Sequence, residues 1–143
     1  MFFCQIGGFD THSGQSWQQM DLLRQVGDAL AAFYAATTEM GLADKITAFT
    51  ESDFGRTLQP NTSGSHLLVL GGAVKGGQLY GSFPSMVLGG ADDATGRGAL
   101  IPTTSLDQYA GTMARWFGVG PAAMASVFPN LAYFAPTDLG FLG

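Results

Sequence analysis

The sequence is short of charge, of cations above all. Only 12% of its 143 residues are charged, six of them Lys or Arg, and the formal net charge is −5. A charged fraction near half the usual ~25%, beside 46% apolar residues, excludes intrinsic disorder, which needs low hydrophobicity and high charge. It also predicts a thinly charged surface and a homo-oligomer. The six cations (Arg24, Lys45, Arg56, Lys75, Arg97, Arg115) are scattered. That leaves no basic footprint for nucleic acid and no polybasic patch for a membrane. No apolar run approaches the ~20 residues of a membrane span. Residues 1–6 are too short for a signal-peptide core and lack a basic flank, so the chain as it stands reads as cytoplasmic. The single cysteine, Cys4, can form no internal disulfide, and its apolar surroundings predict a buried, inert thiol. Histidine occurs twice, at His12 and His66.

Glycine is abundant instead, with 21 residues, many of them paired beside apolar runs, which suits tight turns at strand ends better than a helical bundle. The length fits one domain, residues 1–143. Met1-Phe2-Phe3-Cys4-Gln5-Ile6 reads as a strand buried on both faces and ended by Gly7-Gly8. Leu23, Val26, Leu30, Phe33, Thr37 and Met40 recur at helical spacing. Ser16 with Gln19 has the form of a capping box before that helix, and Gly41 supplies its stop. Ile46-Thr47-Ala48-Phe49-Thr50 follows as a strand. Strand, helix and strand predict a βαβ unit with parallel strands and a right-handed crossover.

Residues 59–65 read as a polar loop and His66-Leu67-Leu68-Val69-Leu70 as a third strand. Residues 78–83 and 85–88 suit short strands or a hairpin, and 91–98 an acidic surface loop. Ser105 and Gln108 form a second capping box, ahead of Leu106, Tyr109, Met113, Trp116 and Phe117, with Gly118 as the stop. Gly120-Pro121 opens a shorter helix that ends before Pro129, and the tail is apolar and irregular. The predicted fold class is α/β, a mostly parallel sheet flanked by helices.

Ligands of α/β proteins bind outside the carboxyl ends of the strands. Strand one would deliver Asp10 and His12 there, and strand two Glu51 and Asp53 beside Arg56. Crowded carboxylates repel unless a cation neutralises them. The economical solution is one divalent metal held by Asp10, His12, Glu51 and Asp53: Ca²⁺ by preference, with Mg²⁺, Mn²⁺ or Zn²⁺ also compatible. Such an ion polarises a carbonyl or phosphoryl oxygen and acidifies water, and Arg56 suits an anionic group or developing oxyanion. The plainer alternative makes Asp10 a turn cap and Glu51, Asp53 and Arg56 a surface ion-pair cluster.

The role of His66 depends on strand direction. In a parallel strand it lies on the opposite edge; in an antiparallel one it reaches the same rim as ligand or general base. Gly71-Gly72-Ala73-Val74-Lys75-Gly76-Gly77 lacks the order of a phosphate loop. It reads as a tight turn bringing backbone near the site, with Lys75 solvated or steering an anion. There is no G-x-S-x-G elbow, and Thr57, Ser63 and Ser65 have no assignable His–acid partners. Asn61-Thr62-Ser63 matches a glycosylation sequon by composition alone.

Several stretches occur together in a recognisable order: Gly7-Gly8-Phe9-Asp10-Thr11-His12-Ser13, Ser52-Asp53-Phe54-Gly55-Arg56-Thr57, and the glycine-rich 71–77 run. They continue with Ile101-Pro102-Thr103-Thr104-Ser105-Leu106-Asp107-Gln108-Tyr109, Ala114-Arg115-Trp116-Phe117-Gly118-Val119 and Phe128-Pro129-Asn130-Leu131. This pattern resembles the bacterial family called domain of unknown function 1501, distant kin of alkaline phosphatases and sulfatases. The resemblance implies a partial alkaline-phosphatase-like fold and a metal-dependent hydrolase scaffold. It implies metal-ligand roles for Asp10 and His12 and a site-lining role for 51–56. The chain resembles the C-terminal part of such proteins and departs from them at Pro60 to Ser65, where they carry an Asp-His-Gly-Trp-like stretch. The expected activity is hydrolysis of a carboxylic ester or lactone, N-acyl-homoserine lactones for example, by a metal-activated water, with Glu51, Asp53 or His66 as general base. The alternatives are a phosphate or sulfate ester hydrolase, or a non-catalytic truncated relic or metal-binding module.

Overall fold

The computed structural model describes residues 1–11, 13–52 and 66–143. In chain order these carry helix α1 (Gln15–Glu39), a 3-10 turn (Ala43–Lys45), strand β1 (Thr47–Phe49) and strand β2 (Val69–Gly71). Helix α2 (Leu106–Trp116), helix α3 (Pro121–Val127) and a second 3-10 turn (Leu131–Tyr133) follow.

The two strands pair antiparallel, with Thr47 opposite Gly71, Ala48 opposite Leu70 and Phe49 opposite Val69. The expected mostly parallel sheet flanked by helices is therefore incorrect: among the described residues the sheet has two antiparallel strands beside three α-helices. The βαβ expectation fails at its first member. Residues 1–6 form no strand, and Met1, Phe2 and Phe3 are almost wholly exposed. An apolar run becomes a strand only where lateral hydrogen-bond partners receive it, and no described segment pairs with this one. Cys4, expected buried, is exposed for the same reason. Residues 78–83 and 85–88 form no strands either. There the Tyr80 hydroxyl donates to the Lys75 carbonyl (2.8 Å) and accepts from the Gln78 amide (2.6 Å), closing a local turn in place of a ladder.

Local chemistry sets the helix ends. α1 stops in a Schellman arrangement: Leu42 N–H donates to the Thr37 carbonyl (2.8 Å) and Gly41 N–H to that of Thr38 (3.0 Å). Gly41 sits at φ +68°, the left-handed geometry such a stop requires. Gly118 ends α2 the same way, with Val119 N–H reaching the Ala114 carbonyl at 3.0 Å. The capping box expected at Ser105 and Gln108 is present. Gln108 N–H donates to Ser105 Oγ (3.1 Å), and Ser105 N–H donates to the Gln108 amide oxygen (2.9 Å). The one expected at Ser16 and Gln19 is not, because α1 begins two residues earlier, behind Gly14, and has no side-chain cap.

Among the described residues the buried apolar side chains are Tyr109, Met124, Leu131 and Phe141, contributed by α2, α3, the second 3-10 turn and the tail. Tail and α2 are laced together. The Gln108 amide donates to the Pro136 carbonyl (2.6 Å), Leu139 N–H donates to Thr112 Oγ1 (2.9 Å), and Arg115 pairs with Asp138 (2.9 Å). The tail then returns along 73–75, where Lys75 N–H donates to the Phe141 carbonyl (2.9 Å) and Gly143 N–H to that of Ala73 (3.1 Å). α1 is far less covered. Thr37 is its buried residue, Leu22, Val26 and Leu30 are half-buried, and Leu23, Phe33 and Met40 of the expected stripe are exposed.

Candidate functional site

The antiparallel pairing decides the placement of His66. One step beyond the strands, Thr50 N–H donates to the Leu68 carbonyl (3.0 Å), and Leu68 N–H donates to Thr50 Oγ1 (2.9 Å). Past this closed rung the first chain runs on to Glu51, and the second leads back to His66. Both residues thus stand at the carboxyl end of β1, and both are exposed. The His66 ring stacks on Phe83, centroids 5.2 Å apart at 24°, which limits where the imidazole can turn.

Behind the rung lies a residue that sequence reading placed only on an apolar helix stripe. Tyr109 of α2 is buried, and its hydroxyl donates to the carbonyls of Thr50 (3.2 Å) and Leu68 (3.3 Å). Phe49 meets its ring edge-on at 6.3 Å, and Phe141 lies against it at 5.8 Å. Burial pushes the phenol above its ordinary range, and the negative charge of Glu51 adds to the shift. A signal was available in the sequence: tyrosine, where phenylalanine would fill the same core, demands a partner for its hydroxyl.

Asp10 is exposed in a loop laid along the first half of α1. Gly8 packs against Leu22, the Gln19 amide donates to the Phe9 carbonyl (3.3 Å), and the neighbouring Thr11 is buried. The described contacts therefore tie Asp10 to α1, and Glu51 and His66 to the strand pair. His12, Asp53 and Arg56 lie outside the described residues, as do Thr57, Ser63, Ser65, the sequon and the 59–65 loop. Among the described residues, no three His, Cys, Asp or Glu side chains gather into a metal-holding group. Asp10 and Glu51 are the two expected ligands within them.

The glycine-rich turn serves the fold. Gly71 and Gly72 lie against the backbone of residues 43–47, not against the strand end carrying Glu51, and Gly72 N–H donates to the Ala43 carbonyl at 2.8 Å. Lys75 is exposed and its ammonium donates to the Gly140 carbonyl (3.2 Å), bracing the tail. A cleft of about 220 Å³ between α2 and α3, lined by Arg115, Val119, Pro121 and Met124, contains none of the expected site residues.

The acidic 91–98 loop is organised around one carboxylate. Asp93 accepts backbone N–H groups from Gly89 (2.9 Å), Gly98 (2.8 Å), Thr95 (3.1 Å) and Ala99 (3.1 Å). These donors hold its pKa down at about 2, against an ordinary 3.8. A depressed folded-state pKa stabilises the fold at pH values above the unfolded one, and that contribution is lost as pH falls toward the folded value. The Asp93 contribution is thus complete above about pH 4 and disappears on descending through about pH 2. Carboxyl-carbon NMR titration is expected to show Asp93 still ionised at pH values below its ordinary 3.8, taking up its proton only as pH falls toward about 2. Titration near 4 would remove the loop's organising charge.

The sequence model of a family described as "Protein of unknown function (DUF1501)" matches residues 1–110. No curated protein and no solved structure matches the chain. Among the described residues no helix is long and apolar enough to cross a membrane.

Proposed function

The chain belongs to the DUF1501 family, and on that premise we propose that it is a divalent-metal-dependent hydrolase of carboxylic esters or lactones, N-acyl-homoserine lactones among them. The observation that carries this reading is the antiparallel register that sets His66 at the strand end bearing Glu51. An acid and an imidazole at one exposed edge supply both ligand and proton-acceptor chemistry. Asp10 and His12 with Glu51 or Asp53 would hold the cation. Carboxylates and an imidazole together would make a donor set suited to Ca²⁺, Mg²⁺ or Mn²⁺, with Zn²⁺ also compatible. A bound cation supplies Lewis acidity toward a carbonyl oxygen and acidifies water.

The chain's own groups do the rest. His66, or whichever of Glu51 and Asp53 is not a ligand, takes the proton of the attacking water and returns it to the leaving alkoxide, so that water and ester become acid and alcohol. Arg56 steadies the negative charge that develops on the carbonyl oxygen. Phe83, 56% exposed beside the imidazole, and Leu68, 49% exposed, offer an apolar shelf for an acyl tail. A neutral carbonyl substrate also suits a chain so poor in cations better than a phosphate dianion does. The exposed Trp17, Met20, Leu23 and Phe33 along α1 supply apolar surface for a second copy, as a homo-oligomer requires.

The test is metal analysis of purified protein beside a panel of chromogenic acyl esters, lactones, and phosphate and sulfate monoesters, each with and without chelator. Ester or lactone turnover that chelator abolishes and Ca²⁺ restores is the expected result. Faster turnover of a phosphate monoester would reverse the substrate class. Inertness toward every substrate, with or without metal, would make the chain a non-catalytic module.

A further inference from the structure

We infer that Tyr109 is a positioning residue for the candidate site: its hydroxyl clamps the two chains at Thr50 and Leu68, and so fixes Glu51 relative to His66. The inference rests on the reading that Glu51 helps to hold a cation, and it concerns a residue that never touches the cation.

The geometry is specific. A phenol has one proton, and here it lies between two carbonyls, 3.2 Å from that of Thr50 and 3.3 Å from that of Leu68. These carbonyls come from chains 18 residues apart in sequence that already lock each other through Thr50 N–H and Thr50 Oγ1. The Leu68 carbonyl accepts from both Thr50 N–H and the phenol, so three segments of the fold meet at one oxygen. β1 and β2 have three residues each and gain little rigidity from their own ladder. The clamp comes instead from α2, whose capping box and tie to Pro136 fix it in turn. Glu51 is the next residue after the clamped Thr50, so its backbone has one residue of slack from a fixed point. Metal ligands depend on such outer partners for orientation, and losing one typically weakens metal binding by 10–100-fold.

Calorimetric titration of the full chain with Ca²⁺ tests this on the wild type, Tyr109→Phe, Thr112→Val and Glu51→Gln, with the thermal stability of each measured alongside. Tyr109→Phe keeps the ring packing against Phe49 and Phe141 and removes only the hydroxyl. Thr112→Val breaks a buried contact between α2 and the tail that involves neither Thr50 nor Leu68 and leaves the capping box and the Pro136 tie in place. The expected result is about tenfold weaker Ca²⁺ binding for Tyr109→Phe, unchanged binding for Thr112→Val, and the largest loss for Glu51→Gln. Equal weakening in Tyr109→Phe and Thr112→Val would reduce Tyr109 to general stability and overturn the inference. Weakening in Glu51→Gln with none in Tyr109→Phe would overturn it while leaving the proposed function standing. No Ca²⁺ binding by the wild type, or none lost in Glu51→Gln, would overturn both. Should Tyr109→Phe fail to fold, amide exchange on the wild type decides: Ca²⁺ must slow exchange at Thr50 and Leu68 more than at the tail-bound Leu139, and equal slowing counts against the clamp.

Discussion

Gly72→Ala is expected to lower the free energy of unfolding by about 2–3 kcal/mol, read as a fall in the urea midpoint with unchanged slope. An added Cβ would strike the Asp44 carboxylate, and it would stand 2.8 Å from the Ala43 carbonyl carbon and 2.9 Å from the Asp44 nitrogen. A carboxylate can swing aside, but backbone at that distance must move. Residues 43–45 have nowhere to go. Lys45 N–H is bonded to the Leu42 carbonyl (2.9 Å), and Leu42 N–H is held by the last turn of α1 (2.8 Å). The strain therefore passes to β2 and to the Gly72–Ala43 hydrogen bond. Gly76→Ala is the internal control, because a Cβ there meets nothing within 4 Å and its φ is not positive. That change is expected to be neutral or to stabilise by about 0.4–1 kcal/mol, through a less flexible unfolded chain. Equal midpoints for the two variants would show that the 43–44 turn yields freely and that the close approach is not a constraint.

Gly71 and Gly72 signal a close approach in the sequence, but the neighbour they meet is the 43–47 backbone and not the strand end carrying Glu51. The same division runs through the fold. Features decided within one turn of chain were legible: the Ser105–Gln108 box, the glycine stops at Gly41 and Gly118, and Pro121 opening α3. The Ser16–Gln19 pattern fails as a cap because Gly14, two residues earlier, already turns the chain into α1. Strand order was not legible, because an extended run carries no record of its partner. Residues 46–50 and 66–70 both read as strands, yet nothing in either fixes the direction of pairing. The candidate site inherited that ambiguity: Glu51 was placed correctly at a strand end, whereas His66 had two positions until the register chose one. That the Tyr109 hydroxyl needs a partner is legible, but which partner is not, because its acceptors lie 59 and 41 residues away and both are backbone carbonyls with no side-chain signature.

Glu51→Gln carries the largest expected effect on function: ester turnover lower by roughly 10²–10⁴-fold, the range that a positioned acid–base group contributes. The amide matches the carboxylate in size and cannot accept a proton, so an exposed residue such as Glu51 loses charge and basicity without a packing change. Two roles remain for the acid, and the same variant separates them. If Glu51 is a ligand, the purified variant loses metal, and excess Ca²⁺ restores much of the turnover, because binding rather than chemistry has been weakened. If it is the base, metal content stays at the wild-type level, kcat falls with little change in KM, and added Ca²⁺ does nothing. In the first case the base must be Asp53 or His66, and His66→Ala must then be tested beside it. His66 stands at the same strand end with its ring already fixed against Phe83. A large loss in His66→Ala with metal retained would assign it the proton. Full activity in both Glu51→Gln and His66→Ala would remove the strand end from the chemistry altogether, and with it the observation on which the hydrolase reading stands.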